Sequence, residues 1–377
     1  MALFSAAFRP FFLFTALIAI IVPMYFVCVL INDYSYAGEL LDIFSWHGHE
    51  MIFGFSSALL TGFLLTASAN WTGKKVISQY ELIILSLLWL IARGVLFYQP
   101  NTLSLLILAP LPFVVLLFKM LITLRGNRNC LPIVSILALL SFSQISHLYG
   151  ALMQESAWVS FSYKFAGLSL FTLLFIFSGR LIPFFTNNKL GAPVLSLNNR
   201  VEIITYLCCL FSFIFYLSDF SMGEKIFSFL SFLLMIHRSL KLVNIKMFKE
   251  IMLSILVMAH SLLTLFFGMR LFNLFFESLE VGKSSYHILF AGALACFALA
   301  IMTRASLGHS GRKIEGSLLI RLSFYSLILG IVLRVFVPLF WGDVFTRFLH
   351  VSMGFWTLSF IFFMIKFLPI FIKKRPA

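Results

Sequence analysis

The segment "SWHGHEMIFGF" (residues 45–55) sets two imidazoles, His47 and His49, and one carboxylate, Glu50, at the mouth of an apolar run. Ionisable groups in such a place are costly and mark function by default. His147, His260, His287 and His350 lie in or beside other apolar runs. Imidazoles brought to one level by separate segments suit copper or the axial positions of a haem. Each also has a structural reading, a hydrogen bond to a neighbouring helix. Helical positions two apart point in nearly opposite directions. Either Gly48 breaks the helix, or His47 and His49 serve different sites, with His47 sharing a face with Glu50 and Met51. Glu50 is suited to orient a ligating imidazole and equally to cap a helix start. Arg93, Arg270 and Arg334, near span ends, fit as partners for a haem propionate or as snorkelling anchors. The methionines add possible thioether ligands for copper.

The elements that position these groups follow from composition. Of 377 residues 61% are hydrophobic and 11% charged, with 47 phenylalanines, against roughly 45–50% apolar in a soluble domain. Mean hydropathy is +1.02. In lipid, long apolar runs must satisfy their own backbone, and runs of about 20 residues do so as helices. The expected fold is therefore an all-α membrane protein, a single transmembrane domain over residues 1–377 with about twelve spans. These begin near Phe11, Met51, Glu81, Thr102, Leu131, Val159, Val201, Ile226, Ile251, Ser285, Ser317 and Val344. Pro23, Pro110 and Pro112 interrupt helices. The run after Arg9 is too long for a signal peptide and lacks a small-residue cleavage site. The sequence shows no convincing internal repeat. Lys and Arg crowd alternate loops, which places both termini in the cytoplasm. A net charge of +14 then records topology and contact with anionic lipid; no nucleic-acid motif is present. The five cysteines form no C-x-x-C pair, so covalent c-type haem is excluded.

With that orientation His47, His49, His147, His287 and His350 fall in the outer half of the membrane and His260 near its middle. His237 and His309 fall on the cytoplasmic side, with two unusually polar segments, "SGRLIPFFT" (178–186) and "MTRASLGHSGR" (302–312). Pro183 reads as the end of one span, and Gly308 with Gly311 as the C-terminus of another. Their basic residues fit an anion or headgroup pocket, or inner-face anchors.

Together, "FRPFF" (8–12), "WHGHEMIFGF" with "TGFLLTASANWTG" (46–55 and 61–73), "GRLIPFFT" (179–186) and "IMTRASLGHSGR" (301–312) resemble the NnrS family of bacterial inner-membrane proteins. The likeness implies a multi-pass protein that holds non-covalent b-type haem and copper and acts in the response to nitric oxide. It carries His47, His49 and Glu50 over as one motif, Arg180, Pro183, Phe184, Phe185 and Thr186 as a second, and Met302, Thr303, Arg304, His309, Gly311 and Arg312 as a third. His147, His260 and His287 match on weaker context. Gly48 stands where family members commonly carry Ala, and Ser310 where Thr is usual. The implied partners are membrane lipid, nitric oxide or nitrosylated iron, and a respiratory electron donor. No flavin motif or iron–sulfur ligand set is present, which leaves catalysis and binding both open. Two alternatives stand beside this reading: a transporter or metal-handling permease using intramembrane histidines, and an assembly or protection factor for a respiratory complex.

Overall fold

The computed structural model describes residues 2–32, 38–191, 193–276, 279–340 and 345–373. These residues are overwhelmingly helical. In chain order the helices are α1 (Phe8–Asn32), α2 (Ile43–His49), α3 (Phe55–Thr72), α4 (Gln79–Tyr98), α5 (Thr102–Leu108), α6 (Leu111–Thr123), α7 (Cys130–Leu152) and α8 (Ser156–Leu190). They continue as α9 (Asn199–Leu217), α10 (Ser221–Leu242), α11 (Ile251–Phe276), α12 (Leu279–His287), α13 (Ala295–His309), α14 (Leu318–Phe340) and α15 (Phe345–Ile372). Eleven helical segments among the described residues are long and apolar enough to cross a membrane, so the chain is a polytopic helical membrane protein. The expected eighth span corresponds to α10, which falls outside that set; it carries the buried, charged Glu224 and Arg238 and packs on α9 and α11.

Local chemistry sets the helix ends. Asp42 caps α2 by accepting from the backbone N–H of Phe44 and Ser45 (2.9 and 3.0 Å). Glu50, also suited to such a role, lies about two turns further on, at the far end of α2, and is engaged elsewhere. Ser78 and Glu81 form a reciprocal capping box at the start of α4. Within the spans, hydroxyls such as Thr15, Thr61 and Ser86 donate to the carbonyl four residues back, which keeps a polar side chain satisfied without water. Pro110 separates α5 from α6 as expected, and Pro112 sits in the first turn of α6. Two proline expectations change: α1 continues through Pro23, and α8 continues through Pro183 to Leu190 rather than ending there. Gly311, left-handed at φ +71°, closes the α13 end, whereas Gly308, expected to share that role, lies inside the helix.

The second span also differs from its expected form. It starts at Ile43, not near Met51, and proceeds through Gly48 without a break into a π turn, Glu50–Gly54, that joins α2 to α3. A second π turn, Ile288–Leu294, joins α12 to α13 directly after His287. These two spans are built alike, which corrects the expectation of no internal repeat: the match lies in a local backbone irregularity after each histidine, not in a conspicuous run of residues.

The helices form two compact units. One comprises Met1–Ser169, Ile301–Ile314 and Phe360–Ala377; the other comprises Leu170–Ala300 and Glu315–Ser359. In the first, α1 packs along α3, and the "FRPFF" segment has a clear role. Arg9 donates from Nη1 to the carbonyls of Ala2 (3.1 Å), Phe371 (3.2 Å) and Lys373 (2.6 Å), so a buried guanidinium caps the C-terminus of α15. A Cβ on Gly62 would come within 2.9 Å of the Phe12 ring, which fixes a glycine where α3 crosses α1. In the second unit, Phe171, Phe213, Phe266 and Phe267 form an aromatic core joining α8, α9 and α11.

Candidate functional site: a histidine held by a buried ion pair

Because the helix is unbroken at Gly48, its two histidines face different ways. The His47 ring stacks on Phe26 of α1, with centroids 4.1 Å apart and planes at 26°. His49 is fully buried and turns toward α7, where the His147 ring lies 5.6 Å away. Gly48 leaves room for the Tyr163 hydroxyl, which would lie 2.2 Å from a Cβ there, so a larger residue requires that ring to shift.

His49 anchors a chain of hydrogen bonds. Arg93 Nη1 of α4 donates to Glu50 Oε1 at 2.7 Å, and the same oxygen lies 3.2 Å from His49 Nδ1. A carboxylate paired with arginine only accepts, so the imidazole donates through Nδ1–H. In the neutral ring Nε2 therefore carries the lone pair, and it accepts from the amide of Gln144 at 3.0 Å. Gln144 Nε2 also donates to the Ala109 carbonyl at 3.1 Å, and its Oε1 is buried with no hydrogen-bond partner among the described residues. Glu50 was expected on the face of His47; its carboxylate serves His49 because the π turn begins at Glu50 and carries it round.

His147 is wired in the opposite sense. Its Nε2 lies 3.0 Å from the Ser45 carbonyl, an acceptor, which places the proton on Nε2. Its Nδ1 lies 3.3 Å from Ser162 Oγ. Two buried imidazoles from two spans thus stand side by side, each with one nitrogen committed to an acceptor and the other bearing a lone pair. Among the described residues no group of three or more His, Cys, Asp or Glu side chains is arranged to hold a metal ion. The donor set fits a group that takes one or two imidazoles, as haem does, better than a closed four-ligand cage. For such a group the Arg93–Glu50–His49 chain is the outer support a ligating imidazole requires.

The second unit holds another buried centre. Arg238 is 2% exposed. It donates to both oxygens of Glu202 (Nε at 2.9 and 3.1 Å, Nη2 at 2.9 Å), to Ser178 Oγ (2.8 Å) and to the Phe175 carbonyl (2.9 Å). Its Nη1 lies 3.4 Å from His260 Nδ1. Arginine has no acceptor to offer, so His260 accepts at Nδ1 and carries its proton on Nε2. That nitrogen is buried with no hydrogen-bond partner among the described residues. His260 therefore presents an N–H, not a lone pair, and fits a metal poorly. The glycine of "GRLIPFFT" belongs to this centre: a Cβ on Gly179 would lie 2.5 Å from Arg238 Nη2. A cleft of about 330 Å³ lined by Ser196, Asn198, Glu202, His237, Arg238 and Lys241 adjoins it.

The remaining candidates are dispersed. Arg270 forms a buried ion pair with Glu224 and lies 3.7 Å over the Tyr216 ring, so its main partner is a carboxylate of the protein. His287, half-buried, heads the second π turn. Arg334 on α14 and His350 on α15 are half-buried and belong to the second unit, as do exposed Arg180 and buried Thr186. Arg304, His309 and Arg312 belong to the first unit, where His309 packs against Phe8 at 5.8 Å. Sequence reasoning passed over Gln144, Tyr163, Glu202, Glu224 and Arg238. Gln144 alone left a usable signal, since it precedes His147 by three positions and shares its helix face.

None of the curated proteins compared matches this chain. The model of the NnrS protein family matches residues 2–375, nearly the whole length, and the motifs that contain Arg9, His49, Gly179 and Arg312 all lie within that match. The chain belongs to the NnrS family.

Proposed function

We propose that this protein is a haem- and copper-binding protein of the bacterial inner membrane that acts in the response to nitric oxide, protecting against nitrosative damage. The observation that carries this reading is the Arg93–Glu50–His49 chain, which fixes the proton on Nδ1 and aims the Nε2 lone pair at Gln144. His49 Nε2 is the leading ligand position, and His147 Nδ1 the adjacent one. A haem held there would supply an iron centre able to capture a small apolar gas that partitions into the bilayer. The chain's own residues would do the rest. Glu50 raises the basicity of the imidazole, Arg93 keeps Glu50 ionised, and the surrounding helices exclude water. Arg93 has Nε and Nη2 buried without hydrogen-bond partners among the described residues, which suits it to an anionic group such as a propionate.

The test is the optical spectrum and metal content of purified protein. The wild type is expected to show a Soret band and bound copper, and His49→Ala to lose the signal of the centre that His49 holds. A folded protein without haem or copper would overturn the reading. It would favour a permease instead, for which the repeated span described above is an independent argument, because transporters are often built from repeated helical sets.

A further inference from the structure

The two spans with π turns agree residue by residue. His49 and His287, Gly54 and Gly292, and Gly73 and Gly311 are each separated by the same 238 residues (287 minus 49). At that interval "ASANWTGKKV" (67–76) falls on "ASLGHSGRKI" (305–314), sharing Ala, Ser, Gly and Lys, with Thr against Ser, Lys against Arg and Val against Ile. The backbone keeps the same register. Both π turns begin at the residue after the histidine, and both closing glycines are left-handed, with φ +66° and +71°. The next helices match as well: Leu82, Leu85, Ser86, Trp89 and Ala92 are buried on α4, and Ile320, Ser323, Phe324, Leu327 and Gly330 are buried on α14. A Cβ on Gly54 would meet Ile18 and Arg93, and one on Gly292 would meet Leu262 and Ile331. Position 331 stands to 93 as 287 stands to 49.

From this correspondence we infer that His287 is a second ring-nitrogen ligand station, equivalent to His49 in fold, with Ile288 and Ile331 at the positions that Glu50 and Arg93 hold in the first. The inference rests on the proposed metal-binding role of His49. Both members of the first station's pair are replaced together at the second: Glu50 by Ile288 and Arg93 by Ile331, each buried. Loss of one partner would strand a buried charge, whereas replacement of both by apolar groups is tolerated, so the joint change marks a retained architecture with altered electrostatics. A π turn kept at both places is the kind of local irregularity that accompanies functional positions in helices. The ligand class is the same for both stations, a metal centre that accepts imidazole.

Two experiments test this. Metal and haem content with optical spectra is measured for His49→Ala, His287→Ala and the double variant, with exogenous imidazole added to each. The inference expects each single variant to keep about half the wild-type content, the double variant to keep almost none, and imidazole to restore the missing signal. Wild-type content in His287→Ala together with loss in His49→Ala overturns the second station and leaves the proposed function standing; wild-type content in both overturns the two together. Independently of any metal, Ile288→Glu and Ile331→Arg are made singly and together. The matched architecture expects each single change to lower the melting temperature and the pair to recover most of that loss. Additive losses in the pair would overturn the equivalence even if the histidine variants failed to fold.

Discussion

The two buried centres use the same three residue types in a different order. In the first, a carboxylate stands between the arginine and the imidazole: Arg93, Glu50, His49. In the second, the arginine stands between: Glu202, Arg238, His260. The order decides the tautomer. A carboxylate next to the ring draws the proton to the near nitrogen and leaves a lone pair on the far one, whereas an arginine next to the ring demands the near lone pair and leaves a proton on the far nitrogen. One centre is built to offer an electron pair, the other to offer a hydrogen bond. Composition cannot distinguish them, because the order of the three groups is set across separate helices.

This contrast can be broken or sharpened by substitution. The largest stability effect is expected at Arg238. Arg238→Ala removes the partner of half-buried Glu202 and empties the buried space against Phe175 and Ser178, at a cost of about 3 kcal/mol, read as a large fall in melting temperature. Next comes Glu50→Gln, which keeps the shape at the first centre but weakens the support of His49; roughly 10–100-fold weaker metal retention is expected, measured by chelator challenge. His260→Ala is expected to leave metal content unchanged, since its far nitrogen carries a proton; loss of metal there would erase the distinction between the centres. The smallest effect separates the repeated spans. Gly54→Ala should cost about 1–3 kcal/mol, because the new Cβ meets Arg93 at 2.6 Å and Glu50 at 2.9 Å. Gly292→Ala should cost less, because its nearest contact is Leu262 at 3.2 Å; thermal melts of the two variants check the ranking.

Much of the helical plan is legible in the sequence, because a backbone in lipid leaves few options and apolar runs declare their length. Most expected starts lie within a few residues of the observed helices, as at Thr102, Ile251 and Ser317. The second span was misplaced at its start because the polar "SWHGHE" looks like a loop, whereas Asp42 caps a helix that carries those residues inside. Arg238 was hidden for the opposite reason: beside Lys241 it resembles one more inner-face anchor, and its partners Glu202, Ser178 and His260 lie on other helices. The repeat was obscured because its matching residues are spread along an apolar run, and its clearest mark, the π turn after each histidine, has no periodic signature in sequence.

The central claim concerns one atom, His49 Nε2. Pulsed electron paramagnetic resonance on metal-loaded protein, prepared with isotopically labelled histidine nitrogen, tests it most directly. A labelled-nitrogen coupling in the wild type, lost in His49→Ala and retained in His260→Ala, is the predicted result. An identical coupling in His49→Ala and the wild type would contradict it.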